Sequence, residues 1–304
     1  MITYSLTYID PVIFGLGSIC NILVIIYFVK INFKKLNKMS VYHFLIINLA
    51  VADLFVSVGT SINYPLISQP SWKYGEFACV FLRIFLGNAL PIISSWLLVL
   101  ISFARYRTIS YPLHAYKLNK KKYGVVCLLV WIVPPVLNTF SFINTKVIEY
   151  RGFQLCLTFG LVQMLCNFIM DSFLPAGIML ILYYKMKKKM KFDENHSSFP
   201  PNPQSRTRNR SALRTVNGLI AIFIITVIPT RIHILFTWVL DIYLQLSKPL
   251  FYDLFMVYSA ITYPLFGIFY MNSILNVFIY AKMIPGFRGF LLMFVTLGVY
   301  GNGK

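Results

Sequence analysis

The chain has 304 residues, of which 58% are apolar, 17% aromatic and only 12% charged, and its mean hydropathy is +0.70. Soluble domains carry about a quarter charged residues, so this composition excludes a soluble enzyme or binding module. The formal net charge of +19 invites comparison with nucleic-acid binders. The basic residues, however, lie between apolar runs instead of on one folded face, which excludes nucleic acid as a partner.

Crossing the hydrocarbon core of a bilayer takes about 20 mostly apolar residues per helix. Seven stretches meet that requirement, at 9–29, 41–64, 80–103, 123–143, 159–184, 216–240 and 250–281. The predicted fold class is an all-α membrane protein, one seven-transmembrane helix bundle over 1–304 with the lipid bilayer as its solvent. Residues 185–215 read as a basic third inner loop and 282–304 as a short, atypical tail. Most of the 28 Lys and Arg residues fall in 30–38, 105–122, 185–214 and 282–304. By the positive-inside rule that pattern predicts an external N-terminus and a cytoplasmic C-terminus. The first span has no basic segment before it and is followed by Lys30, Lys34 and Lys35, so it reads as a retained anchor, not a cleaved signal.

Of the five cysteines, Cys79 opens the third span and Cys156 follows the fourth. Both fall on the predicted outer side, where a disulfide between them would persist. Cys20, Cys127 and Cys166 lie inside spans and read as small hydrophobes. The histidines show no metal-ligand spacing. Polar groups are costly in lipid and mark working or packing positions. Those that stand out are Asn21, Asp53, Ser94, Ser95, Asn272, Ser273 and Asn276.

With these residues in view, the chain resembles a rhodopsin-like (class A) G-protein-coupled receptor. Asn21 matches that family's asparagine in helix one, and "NLAVADL" with Asp53 its signature in helix two. "WKYGEFAC" resembles the first outer loop that leads to the bridging cysteine. "ARYRTISYPL" resembles the D/E-R-Y motif, with Arg105, Tyr106 and a trailing Pro112. Trp131 marks helix four, Pro175 and Tyr183 helix five, and Phe223 and Pro229 helix six. Asn276 with Tyr280 marks the N-P-x-x-Y motif.

The resemblance implies a helix-bundle switch: an extracellular ligand favours one of two packings, and the inner ends open to a heterotrimeric G protein. It assigns that switch to Arg105, Tyr106, Tyr183, Phe223, Pro229, Asn276 and Tyr280. It groups Asp53, Ser94, Asn272, Ser273 and Asn276 as a pocket for an allosteric sodium ion, whose hard charge suits oxygen ligands. It pairs Cys79 with Cys156. Enzymatic activity and any other cofactor are not implied. The basic third inner loop has two readings of equal weight, contact with anionic lipid and contact with the G protein.

Ligand class is narrowed by two positions. Relatives that bind monoamines carry an aspartate eighteen residues before the motif arginine, where this chain has Gly87. Opsins carry a helix-seven lysine, and none occurs between Lys248 and Lys282. Neither a monoamine nor retinal is therefore expected. Gly87, Asn88, Asp171, Arg231 and Tyr270 remain as candidate ligand contacts. Asp171 and Arg231 either serve a charged ligand such as a neuropeptide or neutralise each other. The alternative, a seven-helix transporter or channel without G-protein coupling, lacks an internal repeat or a recognisable filter segment.

The departures from the family pattern are local. Ala104 replaces the acid before Arg105, Val227 a tryptophan and Val277 the proline of N-P-x-x-Y. Loss of that acid removes a partner of Arg105 and implies raised basal signalling, which Ala104→Asp would lower.

Overall fold

The computed structural model describes residues 2–32, 39–67, 71–111, 120–139, 143, 145–150, 152–158, 161–196, 203–244 and 248–300. Pro112 lies outside them. Among the described residues, seven helices are long and apolar enough to cross a membrane. They are α1 (Ile2–Asn32), α2 (Val41–Ile67), α3 in the contiguous segments Gly75–Phe81, Leu82–Ala89 and Leu90–Ser110, and α4 (Lys120–Asn138). Then come α5 in the segments Leu161–Phe168, Ile169–Phe173 and Leu174–His196, α6 as Pro203–Thr226 and Ile228–Leu244, and α7 (Lys248–Met283). An eighth helix, α8 (Pro285–Tyr300), follows α7. A two-stranded antiparallel hairpin, β1 (Thr145–Tyr150) and β2 (Phe153–Thr158), links α4 to α5.

The boundaries move where backbone chemistry overrides hydropathy. The fourth span ends at Asn138, short of the expected 143, and the chain then enters the hairpin. The expected basic loop at 185–215 is mostly helix: α5 runs on to His196 and α6 begins at Pro203. Lysines and arginines favour helix nearly as well as leucine does, so the spans continue into water. The expected tail at 282–304 is helical through Tyr300.

The bundle is organised around α3, which packs against α2, α4, α5 and α6, while α7 closes the ring onto α1. Its exterior is the apolar side. Leu128, Leu129, Ile132, Val133, Val136 and Leu137 of α4 are all exposed, as expected where the solvent is lipid. Polar side chains collect inside, among them Asn21, Asp53, Ser94, Ser95, Asp171, Asn272 and Asn276.

Prolines set the irregularities. A proline lacks the N–H for the helical bond, and its ring collides with the carbonyl four residues back. In α3 and α5 the chain answers with wider π-helical turns at Leu82–Ala89, just before Pro91, and at Ile169–Phe173, just before Pro175. In α6 the helix breaks at Val227, two residues before Pro229. The irregularities at Pro175 and Pro229 are thus a π-bulge and a break. Where Val277 replaces the family proline, α7 runs through without a break.

One end of the bundle, hereafter the hairpin end, is tied covalently. Cys79 at the start of α3 is bonded to Cys156 of β2, with Cα atoms 5.6 Å apart. The Trp72 backbone N–H donates to the Gln154 carbonyl at 2.6 Å, and the Trp72 indole N–H to the Gly75 carbonyl at 2.7 Å. At the opposite end, hereafter the Arg105 end, α8 is held to α1 by rings: Phe287 is fully buried against Tyr27 and Phe28.

Small residues bring helices close. A Cβ at Gly17 of α1 would lie 2.6 Å from Ser57 Oγ of α2 and 3.4 Å from Ile274 of α7, whereas one at Gly15 meets nothing within 4 Å. Gly17→Leu is expected to cost about 1–3 kcal/mol through overpacking, and Gly15→Ala to be neutral or stabilising by up to about 1 kcal/mol. Thermal unfolding in detergent reads both, and equal melting points would contradict the close α1–α2–α7 contact.

Candidate functional site: three polar layers in the bundle

Functional side chains stack in three layers along α3. In the middle layer Asp53 of α2 is 1% exposed, too deep for water to solvate a carboxylate. Its Oδ1 accepts hydrogen bonds from Ser94 Oγ of α3 at 2.6 Å and Ser273 Oγ of α7 at 3.4 Å, and its Oδ2 accepts from Asn276 Nδ2 at 3.1 Å. Asn21 Nδ2 donates to the Gly17 carbonyl and, across the interface, to that of Ser273. Four helices are thereby joined through one carboxylate and one amide. Asn272, expected in the same group, is not among the hydrogen-bond partners of Asp53; its Oδ1 accepts from Thr226 of α6 at 3.4 Å. The Asn276 Oδ1 is buried without a partner.

The second layer lies toward the hairpin end. Asp171 falls four residues before Pro175, inside the π-helical turns that this proline requires, so the bulge that relieves the ring also directs the carboxylate. Asp171 is fully buried, and its Oδ2 forms an ion pair with Arg231 of α6. Ser95 Oγ lies 2.8 Å from Asp171 Oδ1 and 3.0 Å from the Pro91 carbonyl. The Trp96 indole N–H donates to the Met170 carbonyl, a group of the same π turn, at 3.0 Å. The Arg231 guanidinium sits 4.7 Å from the Phe269 ring centroid, and its Nε has no partner.

Consecutive residues of an α-helix point about 100° apart. Ser94 and Ser95 therefore serve two different carboxylates, on α2 and on α5. The sequence marks out both serines and both acids but does not link Ser95 to Asp171. Of the other proposed ligand contacts, Gly87 and Asn88 lie half-buried on the π turns of α3. Tyr270 packs edge-on against Phe14 and Phe269, one ring away from Arg231.

The third layer is at the Arg105 end. Ala104 is 3% exposed, and no carboxylate among the described residues pairs with Arg105. The Arg105 guanidinium instead lies 3.3 Å from the ring centroid of Tyr42, at the start of α2. No motif pointed to Tyr42, because a cation–π contact has no fixed sequence spacing. Tyr106 contacts the rings of Phe103 and Tyr111. Phe223 is fully buried, Tyr183 is half-buried, and Tyr280 is 1% exposed with an unpartnered hydroxyl. Pro229 is exposed on the far side of its break.

Removing one member of a buried ion pair leaves the other charged and unpaired, at a cost of about 3–5 kcal/mol, whereas replacing both by apolar groups is often neutral. Arg231→Leu is expected to lower the melting temperature sharply and Asp171→Leu with Arg231→Leu to recover most of the loss. A double variant no more stable than Arg231→Leu alone would show that the two charges are not coupled.

Comparison with known proteins agrees with this geometry. The profile of the family described as "7 transmembrane receptor (rhodopsin family)" matches residues 20–280. The chain is 26% identical to trace amine-associated receptor 13c of Danio rerio, with 88% of this chain and 80% of that protein covered. It is also 26% identical to melanin-concentrating hormone receptor 1 of Mus musculus, with 99% and 85% covered. Opsin-VA of Rutilus rutilus is 28% identical over 66% of this chain and 54% of its own length. The chain therefore belongs to the rhodopsin family of seven-transmembrane receptors and is a multi-pass plasma-membrane protein of the class A G-protein-coupled type, not an enzyme.

Proposed function

We propose that the receptor takes a charged extracellular ligand, a neuropeptide before a monoamine or retinal, at its hairpin end. We propose that it meets the G protein at its Arg105 end, with the N-terminus outside and the C-terminus in the cytoplasm. The orientation is supported by the basic residues gathered at the Arg105 end and by the disulfide at the other, which belongs in an oxidising compartment.

One observation carries the ligand class. The Asp171–Arg231 pair is the charged layer nearest the hairpin end, and Arg231 keeps an unpartnered Nε beside an aromatic face. A ligand that competes for such a pair must carry charge of its own. One relative is named for trace amines and others for melanin-concentrating hormone, while Gly87 supplies no carboxylate for an amine.

Sodium is part of the same proposal. Asp53, Ser94, Ser273 and Asn276 would hold the ion, while Asn272 is turned to Thr226 of α6. The unpartnered Asn276 Oδ1 is the kind of oxygen that a hard cation takes up. Bound there, the ion neutralises a buried carboxylate and favours the packing that keeps these helices together.

The Tyr42 face takes over the restraint on Arg105 that the missing acid would have provided, which replaces the raised basal signalling expected from Ala104 alone with a resting packing held by this contact. Such a contact is worth about 0.5–2 kcal/mol, or about a two- to thirty-fold change in a two-state population. Tyr42→Leu is expected to raise basal nucleotide exchange by that factor, and Ala104→Asp in the same background to lower it again. Unchanged basal exchange in Tyr42→Leu would mean that the ring does not hold the resting packing.

The ligand reading is tested by a peptide and small-molecule screen on cells expressing the chain with promiscuous G proteins. Arg231→Ala abolishes ligand-evoked exchange per receptor at the cell surface, and so does Asp171→Leu with Arg231→Leu, which carries no unpaired charge. A full response from the double variant removes the pair from the ligand pocket. Substrate uptake without nucleotide exchange would favour a transporter.

A further inference from the structure

A cleft of about 860 Å³ that none of the three layers uses lies between α6 and α7 at the Arg105 end. Its rim carries Arg210 and Arg214, one helical turn apart on α6, and Lys282 of α7; its floor is Gly218, Ile279 and Met283. No carboxylate lines it. Arg214 and Lys282 are exposed.

The helical face decides which way the cleft opens. Ala212, Val216, Leu219 and Phe223, spaced three or four residues apart, turn α6 toward the core and are buried. Arg210, Arg214 and Asn217 lie on another face, and Arg214 and Asn217 are exposed. The cleft is therefore on the outer flank of the bundle, beside the membrane, and not in the interior crevice between the inner helix ends. Gly218 lets the two helices meet at its floor, since a Cβ there would lie 2.6 Å from Ile279 Cδ1.

Cations above an apolar floor, at the level where a span leaves the hydrocarbon, match an amphiphile with a negatively charged head. We propose that this cleft binds the phosphorylated headgroup of an anionic lipid of the inner leaflet, its phosphates on Arg210, Arg214 and Lys282 and its chains along Ile279 and Met283. An occupant that touches α6 and α7 together favours the packing in which they are joined. "Inner leaflet" rests on the orientation proposed above; the chemistry of the cleft does not.

The test uses the purified receptor in nanodiscs of phosphatidylcholine containing a small fraction of fluorescent phosphatidylinositol bisphosphate, with energy transfer reporting lipid retained at the protein. Both leaflets are alike, so retention is independent of orientation. That is checked separately by staining a C-terminal tag in intact and permeabilised cells. Each basic residue near an anionic surface changes affinity about fivefold, so Arg214→Gln with Lys282→Gln is expected to lower retention on the order of twentyfold. Lys187→Gln with Lys188→Gln, exposed on the extension of α5, leaves it unchanged. Equal retention in wild type and the cleft variant, or an equal fall in both variants, overturns the proposal. Full competition by soluble inositol trisphosphate at the lipid's own concentration overturns its lipid part. A cleft variant that keeps lipid but loses G-protein capture makes the cleft a protein contact instead.

Discussion

A carboxylate buried among membrane-spanning helices must be given partners by the protein, because hydrocarbon offers none. Among the described residues two are buried, Asp53 and Asp171, and the bundle is arranged around their needs. Ser94 and Ser95 of α3 reach one each. Asp53 is completed by Ser273 and Asn276, which draws α7 against α2. Asp171 is completed by Arg231, which draws α6 against α5. Hydrophobic burial gives no net attraction between helices already in lipid, so these bonds, with close packing at small residues such as Gly17, select one arrangement of seven similar apolar rods.

The same groups connect the ends of the molecule. Arg231 lies four residues after Val227, where α6 breaks ahead of Pro229, and its backbone N–H bonds to the Val227 carbonyl. Asp171 lies on the bulge imposed by Pro175. The charged pair is thus seated beside an interruption of the regular α-helix in each of its two helices. On the proposed reading, a ligand at the pair acts where the two helices are interrupted, as a two-packing switch requires.

At the Arg105 end the motif has changed chemistry and kept its geometry. An acid at position 104 would pair with Arg105 through charge. Ala104 leaves that to the Tyr42 face, which attracts the guanidinium through its ring quadrupole. The contact joins α3 to α2, whereas the cleft between α6 and α7 carries the exposed Arg214 and Lys282. On the proposed reading, restraint of the Arg105 end is divided between an internal aromatic contact and a lipid at the rim.

Much of this was legible in the chain itself. Hydropathy sums residue by residue, so the seven spans and the basic end could be read without coordinates. Asp53, Ser94, Asn276, Arg105 and Tyr280 stand at family spacings, and Cys79 with Cys156 was expected as a pair. Span ends were misjudged where helix propensity carried charged segments onward, as from Lys185 to His196. The partners across helices were not legible. That Ser95 meets Asp171, that Asn272 turns to Thr226, that Tyr42 lies under Arg105 and that α6 and α7 leave a basic cleft all depend on the rotation and crossing of helices far apart in sequence. Those rotations are set by π-bulges, proline breaks and close approaches at small residues, whose effect on the facing of each side chain appears only when all seven helices are packed together.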